Sequence, residues 1–197
     1  MDSLNNKANV KAQYATSANL NQRISFHEKY STNKTGFANW IFSNYNIPAG
    51  AKVLELGCGT GNMWQNRAEI IAKCSELVLS DFSEGMIETA KENLAQFSTI
   101  SYKVIDIQDI PFEDEHFDVI IANMMLYHVP DLQQALSEVR RVLKADGTFY
   151  AATYGEHGIV EFLSRSLHAY GVTDMVNKHF SLQNGPDILR KHFSNVK

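Results

Sequence analysis

Three acidic residues mark the ends of three short apolar runs. Glu55 lies within Val53-Leu54-Glu55-Leu56, Asp81 follows Leu77-Val78-Leu79-Ser80, and Asp106 follows Ile100–Ile105. Between the first two acids stands Gly57-Cys58-Gly59-Thr60-Gly61. Glycine accepts positive φ and lets a ligand come within van der Waals distance of the backbone. A helix that opens just after such a loop aims its free N–H groups at the same spot. An acid at the tip of the next strand, twenty residues after Gly61, is placed to accept both hydroxyls of a ribose.

The spacing separates two kinds of ligand. Dinucleotide sites use G-x-G-x-x-G, in which the last glycine admits a close helix around a pyrophosphate. Here the glycines run G-x-G-x-G, and Glu55 stands two residues before the first. A carboxylate at the mouth of the loop repels a pyrophosphate and suits a cation or an ammonium group. S-adenosylmethionine carries a sulfonium, an α-ammonium and a ribose, and no phosphate.

The elements that must hold these residues alternate strand with helix. Strands are predicted over Lys52–Leu56, Glu76–Ser80, Ile100–Ile105, Phe117–Ala122 and Thr148–Thr153. A helix follows Gly61 to about Lys73. Ser83 caps another, with Glu84 in its first turn and Met86, Ile87, Ala90, Leu94 and Phe97 as its buried stripe. Asp131 opens a third, which turns Leu132, Ala135, Leu136, Val139, Val142 and Leu143 inward and is stopped by Asp146-Gly147. This rhythm implies an α/β fold, a doubly wound Rossmann-like parallel sheet with helices on both faces. Ligands of such sheets bind outside the carboxyl ends of the strands, where the strand order reverses. Glu55, Asp81, Asp106 and Asn123 all fall at or just beyond such ends.

The 197 residues are 44% hydrophobic, enough for one sizeable core in a single domain. The net charge of −4 and the absence of a long basic run give no nucleic-acid footprint, and none is expected as a partner. Arg140, Arg141 and Lys144 read as a solvated helix face. No stretch approaches the ~20 apolar residues of a membrane span, and Met1-Asp2-Ser3-Leu4 does not open a signal peptide. The two cysteines, Cys58 and Cys74, make no disulfide framework, which points to a reduced, cytoplasmic setting. His27, His116, His157, His168, His179 and His192 show no metal-ligand spacing, so no metal is expected.

The string Glu55-Leu56-Gly57-Cys58-Gly59-Thr60-Gly61, with Asp81 at its distance, resembles the first two motifs of the class I S-adenosylmethionine-dependent methyltransferases. The likeness runs from about Ala51 to Thr153. Asp81-Phe82-Ser83-Glu84-Gly85-Met86 is similar to the D-x-S-x-x-M segment of the small-molecule enzymes. Asp106-Ile107-Gln108-Asp109-Ile110-Pro111-Phe112 matches D-x-x-x-L-P-F with isoleucine for leucine. Phe117–Asn123, Leu126-Tyr127-His128-Val129 and Leu143-Lys144-Ala145-Asp146-Gly147 follow the later segments, the last without its usual proline and one glycine. The subgroup is the one often called methyltransferase type 11.

The resemblance implies a strand order of 3-2-1-4-5 and a role for each matching residue. Gly57, Cys58, Gly59 and Gly61 line the methionine and ribose. Glu55 holds the ammonium, Asp81 the ribose hydroxyls, and Phe82 and Met86 pack at the adenine. Asp106 and the backbone of Ile107 meet the adenine edge, and the carbonyl of Asn123 closes the methionine side. The residues also have structural readings: Asp81 as a helix cap, Asp106 as a turn, Phe82 and Met86 as core. The implied reaction is in-line transfer of a methyl group to a small-molecule acceptor, releasing S-adenosylhomocysteine. RNA or protein methylation, or cofactor binding without turnover, are the competing readings. His128 is the candidate base, with Tyr127 beside it on the acceptor side; its structural reading is a bond to a loop carbonyl.

Residues 1–46 are expected to form an N-terminal helical lid, residues 47–154 the cofactor-binding core, and residues 155–197 an acceptor-side helical segment. In the lid, Arg23, His27 and Tyr30 are candidates to reach the cofactor or acceptor, and Phe37, Trp40 and Ile41 form the apolar face of a helix that starts at Ser31-Thr32-Asn33. Relatives close their sheet with a sixth and a seventh strand, which this sequence does not show. An open fifth strand is an aggregation liability, and a homodimer is one way to cover it.

Overall fold

The computed structural model describes residues 22, 25, 26, 29–171 and 177–197. Its centre is a five-stranded parallel sheet: β1 (Lys52–Leu56), β2 (Glu76–Asp81), β3 (Ile100–Val104), β4 (Phe117–Asn123) and β5 (Leu143–Ala152). The strands lie in the order β3-β2-β1-β4-β5, as expected. The helices are α1 (Phe37–Ser43), α2 (Ala68–Lys73), α3 (Glu84–Asn93), α4 (Leu132–Val142), α5 (Ile159–Ser166) and α6 (Gly185–Leu189). Short 3₁₀ turns occupy Asn62–Trp64, Leu126–His128 and His168–Tyr170.

Strand pleating divides the core in two, because successive side chains leave a strand on opposite faces. Leu54 and Leu56 of β1, Val78 of β2 and Ile120 and Ala122 of β4 pack with Ala135, Val139 and Val142 of α4. Val53, Leu77, Leu79, Val119 and Ile121 pack on the other face with Ile41 and Phe42 of α1, Trp64 of the first 3₁₀ turn and Ile71 of α2. Glu55 shares the parity of Val53, and Asn123 that of Ile121. Both side chains therefore leave the sheet on the α1 side, at the carboxyl edge.

The capping residues act as their types predict. Ser83 accepts from the backbone N–H of Met86, and Asp131 from that of Gln134. Several boundaries differ from the sequence-based expectation. The segment after Gly61 is broken, a 3₁₀ turn and then α2, rather than one helix. In the N-terminal segment the helix starts at Phe37, after Gly36 at φ 72°, and not at Ser31. It buries Ile41 and Phe42, while Phe37 and Trp40 are exposed. Finally, β5 begins at Leu143, directly after α4. Asp146-Gly147 is a bulge inside the strand: Leu143 pairs with Phe117 and Thr148 with Val119, so residues 144–147 sit opposite Asp118 alone.

The basic cluster also differs from a solvated helix face. Arg141 donates to the carbonyls of Ile110 and Phe112 and to the carboxylates of Glu138 and Asp114. Lys144 lies on β5 and reaches Asp118 at 2.6 Å, whose other oxygen takes the Lys52 N–H at 2.8 Å. Among the described residues β5 pairs only with β4 and forms one edge of the sheet. Among the described residues, no helix is long and apolar enough to cross a membrane.

Candidate functional site

The glycine loop leaves β1 with three positive φ angles, 74° at Gly57, 55° at Gly59 and 71° at Gly61. A Cβ on Gly57 would stand 2.8 Å from Met125 Cγ, and one on Gly61 2.8 Å from Leu94 Cδ1. Gly61 therefore serves the packing of α3 against the loop, and Gly57 the packing of the turn after β4. The loop is tied down from both sides. The Cys58 N–H donates to the Ser80 carbonyl at 2.8 Å, and Asn93 Nδ2 of α3 to the Thr60 carbonyl at 2.9 Å.

Asp81 spans the mouth of this loop. Its Oδ2 accepts from the Gly59 N–H at 3.0 Å and its Oδ1 from the Ser83 N–H at 2.8 Å. The cap reading and the loop-facing position thus coincide in one carboxylate. Burial pushes its pKa up against the pull of these N–H groups. Glu55 is only 2% exposed. Trp64 Nε1 donates to its Oε2 at 2.6 Å and Asn123 Nδ2 to its Oε1 at 3.2 Å. Burial raises its pKa to about 7, the two donors lower it, and the nearby Asp81 adds a smaller upward push. The Cys58 thiol, half-buried in the same loop, is also pushed up by burial and then by Glu55 and Asp81, which disfavours its reactive thiolate form.

Among the described residues neither Glu55 nor Asp81 has a cationic partner. Two neighbouring acids, one buried and one half-buried, without a countercharge form an unfavourable arrangement by themselves. It becomes favourable when a ligand brings an ammonium to one and hydroxyls to the other. These residues fit S-adenosylmethionine.

Comparison with known proteins points the same way. Residues 54–151 match the family described as a methyltransferase domain. The chain belongs to the class I S-adenosylmethionine-dependent methyltransferases. It is 33% identical over 128 residues to the demethylmenaquinone methyltransferase of Staphylococcus aureus, an alignment over 65% of this chain and 51% of that protein. The chain thus spans about half the length of the curated relatives it matches. In fold it is similar to a Haloferax volcanii methyltransferase complexed with the Trm112 methyltransferase activator, with a TM-score of 0.66 and 24% identity over 98% of this chain and 76% of that one. It is also similar to CalH, a methyltransferase solved with S-adenosylhomocysteine, with a TM-score of 0.57 and 22% identity over 73% and 44% of the two chains.

The remaining methyltransferase-motif residues spread around this edge. Asp106 Oδ1 accepts from the Gln108 N–H at 3.0 Å, so the turn reading holds for its side chain. Ile107 and Met86 are buried core residues, and Phe82 is half-buried. Asn123 contributes its side chain to Glu55, a contact that the motif did not suggest. His128 is half-buried at the end of the 3₁₀ turn after β4, its ring 4.4 Å from that of Tyr127, which in turn lies 4.7 Å from Tyr154. Tyr30 is exposed and packs on Phe26. Arg23 and His27 lie outside the described residues.

Sequence reasoning missed Tyr45, whose hydroxyl donates to Asn123 Oδ1 at 2.7 Å. It also missed Trp64 and Ser80, whose hydroxyl bonds the Glu55 carbonyl at 2.7 Å. Trp64 carried a usable signal. A tryptophan three residues past a glycine loop, amid Asn62, Gln65 and Asn66, needs an acceptor for its indole N–H once buried.

Proposed function

We propose that this chain transfers a methyl group from S-adenosylmethionine to a small-molecule acceptor. One observation carries the reading: Glu55, buried, and Asp81, half-buried, stand at the carboxyl edge of the sheet without cationic partners among the described residues. Bound there, S-adenosylmethionine supplies a methyl group already activated on a sulfonium. Glu55 receives the α-ammonium and Asp81 the ribose hydroxyls. Gly57, Cys58 and Gly59 admit the methionine and ribose to the backbone, Gly61 keeps α3 against their loop, and Phe82 and Asp106 border the adenine. Holding donor and acceptor in line supplies most of what the transfer needs.

An acceptor that carries a proton needs a base, and His128 takes that role beside Tyr127. The likeness to a demethylmenaquinone methyltransferase supports an acceptor with a quinol-type ring. Two free cysteines fit a reducing compartment such as the cytoplasm. The division into lid, core and acceptor-side segment, and a second copy covering β5, belong to the same proposal.

Calorimetric titration with S-adenosylmethionine and S-adenosylhomocysteine, with Asp81→Ala in parallel, tests the cofactor. Micromolar binding lost in the variant supports the reading, and a folded chain that binds neither ligand overturns it. Methyl transfer from labelled cofactor to reduced demethylmenaquinone, set against transfer to RNA and to protein, tests the acceptor. In that assay His128→Ala should lower kcat by about a hundredfold or more and leave cofactor affinity unchanged.

A further inference from the structure

A chain of hydrogen bonds runs from the segment after α1 to the buried carboxylate of Glu55. Tyr45 Oη donates to Asn123 Oδ1 at 2.7 Å, and Asn123 Nδ2 donates to Glu55 Oε1 at 3.2 Å. Trp64 Nε1 closes the other side of the carboxylate at 2.6 Å. An amide has two different ends, and the partner that engages one end decides which way the other faces. By holding Oδ1, the Tyr45 hydroxyl turns the amide N–H of Asn123 toward Glu55.

The tyrosine is itself fixed. Its ring lies 4.6 Å from that of Tyr150 on β5 and 5.3 Å from that of Phe42, which stands edge-on to Trp64 at 5.0 Å. Burial, and then the neighbouring Glu55, drive its pKa far upward. The hydroxyl therefore keeps its proton and remains able to donate. One aromatic cluster thus braces both donors of a single carboxylate.

We propose that Tyr45 and Trp64 are positioning residues that set the Glu55 carboxylate, through Asn123 and directly, for the ammonium group of the cofactor. The proposal rests on the cofactor reading above. Each Glu55 oxygen accepts one protein donor and retains lone-pair capacity for a cation. The relay also joins the segment after α1 to the cofactor site, because Tyr45 contributes both to the packing of Phe42 and to the orientation of Asn123.

The test compares two probes, S-adenosylhomocysteine and 5′-methylthioadenosine, which lacks the amino-acid part and its ammonium. Tyr45→Phe keeps the ring contacts and removes only the hydroxyl. It should weaken S-adenosylhomocysteine about 3- to 10-fold, the value of one hydrogen bond, and leave 5′-methylthioadenosine unchanged. Trp64→Phe should do the same more strongly. Equal weakening of both probes would mean general damage to the fold and overturns the proposal, as does no change in either. In parallel, carboxyl carbon NMR of the ligand-free chain follows the titration of Glu55, which should move upward in Tyr45→Phe; a stationary titration also overturns the relay. If the parent binds neither probe, the cofactor reading falls and takes the ammonium role with it, whereas the NMR titration still reports on the relay.

Discussion

The indole of Trp64 donates its N–H to a carboxylate oxygen of Glu55 across 2.6 Å, and both side chains are almost wholly removed from solvent. A carboxylate in that position is held by two hydrogen bonds but still loses most of its hydration. The loss wins, and its pKa rises to about 7. Glu55 therefore makes the ligand-free protein less stable as it ionises. Folded, the group keeps its proton up to about pH 7; unfolded, it releases it near its ordinary value of 4.5. Its contribution is full below pH 4.5 and is lost as pH rises through 7. Glu55→Gln removes that titration. The stability of the variant relative to the parent should increase by about 1–3 kcal/mol between pH 4.5 and pH 8. Urea denaturation at the two pH values measures it, and a difference that stays flat would contradict the burial argument.

The glycine loop permits a comparison in which backbone and packing costs separate. Gly50 and Gly57 have nearly the same positive φ, 79° and 74°. Nothing lies within 4 Å of a Cβ built on Gly50, whereas Gly57 would face Met125 Cγ at 2.8 Å and Cβ at 2.9 Å. Gly50→Ala should cost about 1–2 kcal/mol, the backbone term alone. Gly57→Ala adds the overlap and should cost roughly 1–3 kcal/mol more. Met125→Ala should not rescue it, because the clash with Cβ remains. Thermal denaturation of the three variants checks the order.

Arg141 presents the same kind of contrast for a charged group. Its guanidinium serves two backbone carbonyls and two carboxylates at 2.7–2.9 Å and so pins the loop from Ile110 to Asp114 onto α4. Glu138 completes the clamp by accepting the Ile110 N–H at 2.9 Å. Lysine keeps the charge but has no planar fork. Arg141→Lys should therefore lower stability by about 1–3 kcal/mol and speed hydrogen exchange at Ile110. Unchanged exchange there would mean that charge alone holds the loop.

The contrast between these features explains what was legible in the sequence. Strand β1, the Ser83 and Asp131 caps and the acid at the end of β2 depend on residues within a few positions of each other, and their types announce them. The bulge in β5 did not announce itself. Asp146-Gly147 is turn chemistry, and only pairing with β4 shows that the strand passes through it. Arg141 looked like a surface residue because its partners lie 27 to 31 positions away, apart from Glu138. Tyr45 and Asn123 are 78 positions apart, and no local pattern joins them. Pleat parity alone would have placed Glu55 and Asn123 on one face of the sheet. It needed the strand order to make them neighbours.

The raised pKa of Glu55 also bears on ligand binding, with the opposite sign. An ammonium group binds the ionised carboxylate, so below about pH 7 binding must first remove a proton. Affinity for S-adenosylhomocysteine should then fall as pH drops, by up to about tenfold per unit below pH 7. The titratable groups that face Glu55 do not supply the same dependence. Tyr45 and Cys58 stay protonated well above this range, since burial pushes both up. Asp81, the other acid near it, contacts ribose rather than ammonium in the proposed arrangement. A ligand without the ammonium, 5′-methylthioadenosine, should therefore show a flat profile over the same range, and Glu55→Gln should flatten that of S-adenosylhomocysteine. Calorimetry from pH 5.5 to pH 8, in two buffers of different ionisation enthalpy, would also count the proton released on binding. Matching slopes for the two ligands would shift the dependence from Glu55 to Asp81 and its ribose contact.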